Sequence, residues 1–271
     1  DAAGEPGARS RARELLGFFA TRSGRVDEAR AYLAEADHLA RLSGDAFQEA
    51  RVAQARGSLA LHMGRYEEAL SFYMRSLDLA RRAGNRHLEG QVIGSVGMCC
   101  QGLRRFDEAR KHYERYLEVS RAEGSTAGEA TATGNLGSML LDSECYDEAQ
   151  PYVERYLRLS REAGFRLGET YATENLGLLL TVRGRGEEAL AHLERSLRLS
   201  REIGYRVPET ESLEHLGAAL AMLGRHAEAA LHYEQCLEVA REIQNSRMEG
   251  FALIGLGTIA EQSGDLMAAE R

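Results

Sequence analysis

The segment "GRYEEAL", Gly64 to Leu70, returns along this chain in recognisable variants every 40 residues. They begin at Gly24, Gly64, Arg104, Glu144, Gly184, Gly224 and Gly264. A fixed period of this length means stacked supersecondary units, each unable to bury its apolar face alone. Two columns hold without exception. Gly17, Gly57, Gly97, Gly137, Gly177, Gly217 and Gly257 form the first. Ala29, Ala69, Ala109, Ala149, Ala189, Ala229 and Ala269 form the second, twelve residues on. The residue before the glycine is apolar in six units; Arg56 departs.

Each unit carries two stretches of helical periodicity. In the second unit they run from about Phe47 to Met63 and from about Tyr66 to Arg82. Gly64 stops the first helix, and Glu67 and Glu68 favour the start of the second. Ala69, Tyr73, Leu77 and Ala80 make the buried stripe of that second helix. A glycine in mid-helix costs about 1 kcal/mol against alanine. Its sevenfold recurrence implies a contact that needs no side chain. The unit is therefore an antiparallel helical hairpin with a close Gly–Ala crossing, and the hairpins stack.

The stretch "NLGSMLLDSECYDEAQPYVERYLRLSREAG", Asn135 to Gly164, resembles a tetratricopeptide repeat. "GETYATENLG", Gly168 to Gly177, is similar to the long-repeat subgroup of G-protein-signalling and spindle adaptors, bacterial transcriptional regulators and large signalling ATPases. The resemblance covers almost the whole chain. It implies an all-α, right-handed superhelical solenoid over residues 9–271, with six full repeats and a truncated seventh. Residues 1–8 lack the pattern and are expected to fray. The C-terminal end lacks a polar capping helix, so the expectation is a chain that continues or an end that pairs with another molecule.

Composition removes several function classes. The net charge of −8 argues against nucleic acid as the main ligand. No run of about 18 apolar residues exists to span a membrane. The start of the chain has neither the basic nor the apolar region of a signal peptide. Cys99, Cys100, Cys145 and Cys236 share no repeat position and form no CxxC pair, which disfavours a disulfide framework or zinc site and suits a cytoplasmic chain. P-loop, GxSxG and Rossmann fingerprints are missing, so neither a cofactor nor a catalytic site is expected. "GSVGMCCQG" around Gly94 is mid-helix and in register, not a phosphate cradle. Two charged columns, Arg41 to Arg241 and Glu49 to Glu249, suit helix ends and can pair across the turn.

In a repeat array structural columns recur and functional columns vary. By resemblance the first helices of the units line a concave wall. Counted from the recurrent glycine, wall positions fall at −6, −3, −2, +1, +4 and +5. The −6 column includes Arg51, Gln91, Tyr171 and Glu211; the −3 column includes Glu174 and Glu214. The −2 column includes Asn135, Asn175 and His215, and the +1 column Met98, Ser138 and Leu178. An asparagine offers donor and acceptor together and suits a peptide backbone of any sequence. The resemblance implies that role for Asn135 and Asn175; a polar residue that hydrates the wall is the alternative. Acidic residues gather in the later repeats and Arg11 and Arg51 in the early ones. The expected partner is a protein or peptide with a basic segment facing the later repeats and apolar anchoring on Tyr171, Met98 and Leu178. The expected function is a non-catalytic scaffold that docks this partner. The alternative is a ligand- or peptide-sensing arm of a larger bacterial regulator or signalling NTPase. Self-association through the ends is also open.

Overall fold

The structure is a computed structural model that describes residues 4–263. Thirteen α-helices and no strand occur among the described residues. They are α1 Gly4–Arg22, α2 Val26–Ser43, α3 Ala46–His62, α4 Tyr66–Arg82, α5 Arg86–Gly102, α6 Phe106–Ala122 and α7 Thr126–Asp142. Then follow α8 Tyr146–Glu162, α9 Arg166–Val182, α10 Gly186–Glu202, α11 Arg206–Met222, α12 His226–Glu242 and α13 Ser246–Ser263. Odd-numbered helices are the first (A) helices of their units, even-numbered the second (B). The chain divides into two compact units, Asp1–Met139 and Leu140–Arg271. The second helix expected in the seventh repeat lies outside the described residues.

Helix α1 begins at Gly4, inside the segment expected to fray. Its Ser10 hydroxyl donates to the Ala36 carbonyl at 2.9 Å, which ties the first turns to α2.

Tight left-handed residues end the helices. Gly44, Gly84, Gly124, Gly164 and Gly204 all have φ between +62° and +67°. Where the pattern lacks glycine, Arg104, Glu144 and Gln244 adopt the same conformation at φ 62°, 63° and 53°. The repeat geometry thus overrides the cost of a left-handed non-glycine residue.

The recurrent glycine has a more specific cause than a Gly–Ala crossing. A Cβ on Gly57 would stand 2.7 Å from the Tyr73 ring, and on Gly97 2.6 Å from Tyr113. In the second compact unit Gly177 faces Leu193 at 2.6 Å and Gly217 faces Tyr233 at 2.8 Å. The glycine is a socket for the side chain sixteen residues on, at the centre of helix B. The alanine column is fully buried beside it, from Ala29 through Ala229. The glycine-rich stretch of α5 follows the same rule, since Gly94 seats Tyr116 at 2.6 Å.

Side-chain donors bolt three of the hairpins at their other end. Ser76 donates to the Ala50 carbonyl at 2.7 Å and Ser196 to the Thr170 carbonyl at 3.0 Å. Cys236 makes the equivalent bond to the Thr210 carbonyl at 3.4 Å. The charged columns pair across the turn as their spacing suggests. Arg81 meets Glu89 at 2.9 Å, Arg121 meets Glu129 at 3.1 Å, and Arg201 meets Glu209 at 2.9 Å. The first unit's Arg41 instead bonds Asp37 at 2.6 Å, and Glu49 takes Arg75 at 3.2 Å.

Candidate functional site

In the second compact unit the A helices α9, α11 and α13 pack side by side. Helical spacing of i, i+3, i+4 and i+7 turns Tyr171, Glu174, Asn175 and Leu178 to one face of α9. The same spacing turns Glu211, Glu214, His215 and Ala218 to one face of α11. Tyr171, Asn175, Leu178, Glu211, Glu214 and His215 are half-buried. Ala172 and Gly177, on the other faces of α9, are buried. The varying columns therefore form the open side of the wall.

Glu174 is the exception: its side chain is only 4% exposed. His215 Nδ1 lies 3.0 Å from Glu174 Oε1, close enough for an ion pair but out of line for a hydrogen bond. His215 Nε2 lies 3.4 Å from Glu214 Oε2. The second oxygen of Glu174, Oε2, is buried and has no hydrogen-bond partner within the protein. Burial opposes the charge on His215, but its contact with Glu174 and the charges of Glu214 and Glu211 outweigh that and raise its pKa to about 9. Burial pushes Glu211 up to about 8, with the Glu174 charge adding to it and Arg247 and His215 opposing. Glu174 is likewise raised by burial, against the pull of His215. The Tyr171 hydroxyl is held well above its usual range by burial and by the neighbouring Glu211. This face concentrates carboxylates in a poorly hydrated place with one histidine among them. Such a face favours a cation and donors that can reach Glu174.

The first unit holds the remaining expected residues, and they do not form one cluster. Arg51 donates to Glu14 at 2.8 Å, so its charge is already matched. Gln91 is hydrogen-bonded to His87 at 3.1 Å. Ser138 accepts from Gln101 at 3.3 Å, and Gln101 in turn accepts from Tyr113 at 2.7 Å. Met98 is exposed. Asn135 is half-buried, and its Nδ2 has no hydrogen-bond partner within the protein. Asn135 belongs to the first unit and Asn175 to the second.

Sequence reasoning missed the coupling among Glu174, Glu211 and His215. The three stand in separate columns, and the 40-residue step that sets Glu214, beside His215, level with Glu174 is the signal that joins α9 to α11 there. It also passed over Asp37, which interrupts a column of leucines. Among the described residues no group of His, Cys, Asp and Glu is arranged to hold a metal ion. No described helix is long and apolar enough to cross a membrane.

A model of the tetratricopeptide repeat matches residues 9–82, 48–122, 88–162 and 169–242, well over half of the chain. The chain belongs to the tetratricopeptide repeat family. No curated protein sequence matches it significantly. Several solved structures share its fold. NprR in complex with its cognate peptide NprX is 16% identical with a TM-score of 0.74, covering 96% of this chain and 75% of that one. The Rap conjugation gene regulator of the plasmid pLS20, in complex with the Phr* peptide, is 14% identical with a TM-score of 0.66, covering 94% and 85%. A signal transduction ATPase with numerous domains and a tetratricopeptide repeat sensor, from Pyrococcus horikoshii, is 12% identical with a TM-score of 0.59, covering 93% and 40%.

Proposed function

We propose that this chain is a non-catalytic binding module that takes an extended peptide along the open face of its A helices. In the second unit a cationic residue of that peptide would lie against Glu174, Glu211 and Glu214, with Tyr171 and Leu178 as apolar anchors and Asn175 gripping its backbone. The observation that carries this reading is the buried Glu174 oxygen without a protein partner, set in a half-open face of three glutamates. Two of the similar structures were determined with a bound peptide, which supports a peptide as the occupant. Asn135 would grip backbone in the first unit in the same way. Reduced thiols suit a cytoplasmic setting; the four cysteines are free.

A second reading is favoured by the likeness to the sensor region of the signalling ATPase: the same face would be the sensing arm of a larger regulator. Binding would then shift the population of two arrangements of the repeats.

A peptide library displayed against the full chain tests the primary reading. Peptides with Lys or Arg are expected to be enriched. Their affinity should fall at least tenfold in a Glu174→Gln, Glu211→Gln double variant, and on the order of tenfold when salt is raised well above physiological strength. Equal binding by the variant, at wild-type helicity, would remove the acidic face from the site. Equal binding by Asn135→Ala and Asn175→Ala variants would remove the backbone grip.

A further inference from the structure

Two columns of the repeat break their pattern at one place in the first compact unit. The position before the recurrent glycine is Leu16, Val96, Leu136, Leu176, Leu216 and Leu256, but Arg56 in the second repeat. Twenty residues beyond the glycine stand Leu77, Leu117, Leu157, Leu197 and Leu237, but Asp37 in the first. The two exceptions meet: Arg56 Nη1 donates to Asp37 Oδ2 at 3.1 Å. In three other repeats the apolar residue at the first position is closed off, with Val96, Leu136 and Leu216 all at most 3% exposed, while Leu16 in the first repeat is 43% exposed. The fold therefore does not need charge at this layer, and a buried ion pair is seldom the more stable choice over packed leucines.

The charges there are also not balanced. Asp37 receives Arg41 at 2.6 Å and Arg75 at 3.1 Å besides Arg56, and Arg75 continues to Glu49 at 3.2 Å. Three guanidiniums share two carboxylates. Beside Arg56 opens a cavity of about 130 Å³ between α2, α3 and α4. Leu33, Leu59 and Met63 make its apolar floor, and Arg30, Arg56 and Arg65 stand around it with Glu68 as the one carboxylate. Arg30 reaches Asp27 only at 3.6 Å and the Met63 thioether at 4.0 Å. Arg65 reaches Glu68 only at 3.6 Å. Both ion-pair separations exceed a hydrogen bond, and a thioether is a weak acceptor, so both guanidiniums keep donor capacity. Arg56 lies over the Phe72 ring at 4.4 Å, which fixes the plane of its fork beside the cavity.

We propose that the cavity between α2 and α4 binds a compact oxyanion, a carboxylate or phosphate monoester carried on a small apolar body. Arginine forks match both oxyanions, and they hold them best where water is partly excluded. The volume is close to the about 150 Å³ of an apolar cavity that holds a benzene-sized molecule, so the apolar body would fill it and the head group would sit outside among the half-exposed Arg30 and Arg65. This site is separate from the acidic face and opposite to it in charge preference.

Met63 provides a reporter inside the cavity. The full 271-residue chain is labelled at its methionine methyls, and the Met63 resonance is assigned with Met63→Leu. Phenyl phosphate and benzoate are titrated in turn, with benzyl alcohol as the neutral control. The expected result is a saturable Met63 shift with at least one of the anions. The tighter anion identifies phosphate or carboxylate as the natural head group. Affinity should fall at least tenfold in Arg30→Gln, Arg65→Gln, whose side chains are half exposed and whose loss leaves the core intact. It should fall equally in Asp37→Leu, Arg56→Leu, which restores the apolar layer of the other repeats. Absence of a saturable shift with both anions overturns the proposal. So does an equal shift with benzyl alcohol, or unchanged affinity in both variants.

Discussion

Gly217 and Gly257 occupy the same column and meet different surroundings. A Cβ on Gly217 would stand 2.8 Å from the Tyr233 ring, whereas one on Gly257 meets nothing within 4 Å among the described residues. The Tyr233 ring is buried and cannot retreat without disturbing helix α12. Gly217→Ala should therefore cost about 1–3 kcal/mol, the usual range for overpacking. Gly257→Ala, which displaces no side chain of the described residues, should be neutral or stabilising by up to about 1 kcal/mol in the 271-residue chain. Urea titrations followed by circular dichroism compare the two within one compact unit. Equal effects would mean that the column reflects propensity or chance and not a socket. The period alone revealed that a small residue was needed. It did not reveal what filled the space, since the filling side chain is Tyr in some units and Leu in others. Neither residue type is unusual at the middle of a helix.

At the scale of the helix pair, the Asp37 and Arg56 substitutions test how strongly the repeat pattern dictates packing. Asp37→Leu, Arg56→Leu converts the first interface to the leucine layer seen between later helices. Replacement of buried ion pairs by apolar residues is often neutral or stabilising by about 1–4 kcal/mol. That result is expected here from denaturant unfolding. The single change Arg56→Leu should be the worse of the two, because Asp37 stays 9% exposed with part of its compensation removed. A double variant less stable than the single one would show that the ion pair is a structural requirement of this layer. Helix boundaries were legible almost to the residue: α4 spans the expected Tyr66 to Arg82. The turn residues and the apolar stripe repeat often enough to average out local ambiguity. The Arg–Glu columns were legible for the same reason, since their eight-residue spacing bridges one tight turn. The acidic face was harder, because its chemistry depends on burial and on neighbours 37 to 41 residues apart. Tyr171, Glu174 and Glu211 could be named from the sequence as wall residues, but an unpartnered buried oxygen and a histidine held charged are properties of packing.

For the molecule as a whole, the acidic face makes stability depend on pH in a definite direction. The groups around Glu211 are Glu174 and Tyr171 from α9, His215 on its own helix, Arg247 from α13 and Asp142. Glu211 is raised from 4.5 to about 8, and His215 from 6.5 to about 9. Both folded-state values lie above the unfolded ones. In each case the folded chain holds its proton over a pH range where the unfolded chain has released it. Stability from each group is present below its unfolded value and is lost as pH rises through its folded value. The window is therefore about pH 4.5 to 8 for Glu211 and about 6.5 to 9 for His215, and because each group acts on the other the two windows belong to the pair. Denaturant unfolding should show a weaker second unit at pH 9 than at pH 6, with the unfolding of α9 and α11 read by amide exchange. Glu211→Gln, which cannot ionise, should flatten the slope between pH 6 and 8. His215→Gln should flatten it between pH 7 and 9. A wild-type slope that survives in both variants would place the pH dependence elsewhere in this acidic chain. A bound cation would oppose the trend: it favours ionised Glu211, releases the proton on binding, and should bind more tightly as pH rises towards 8.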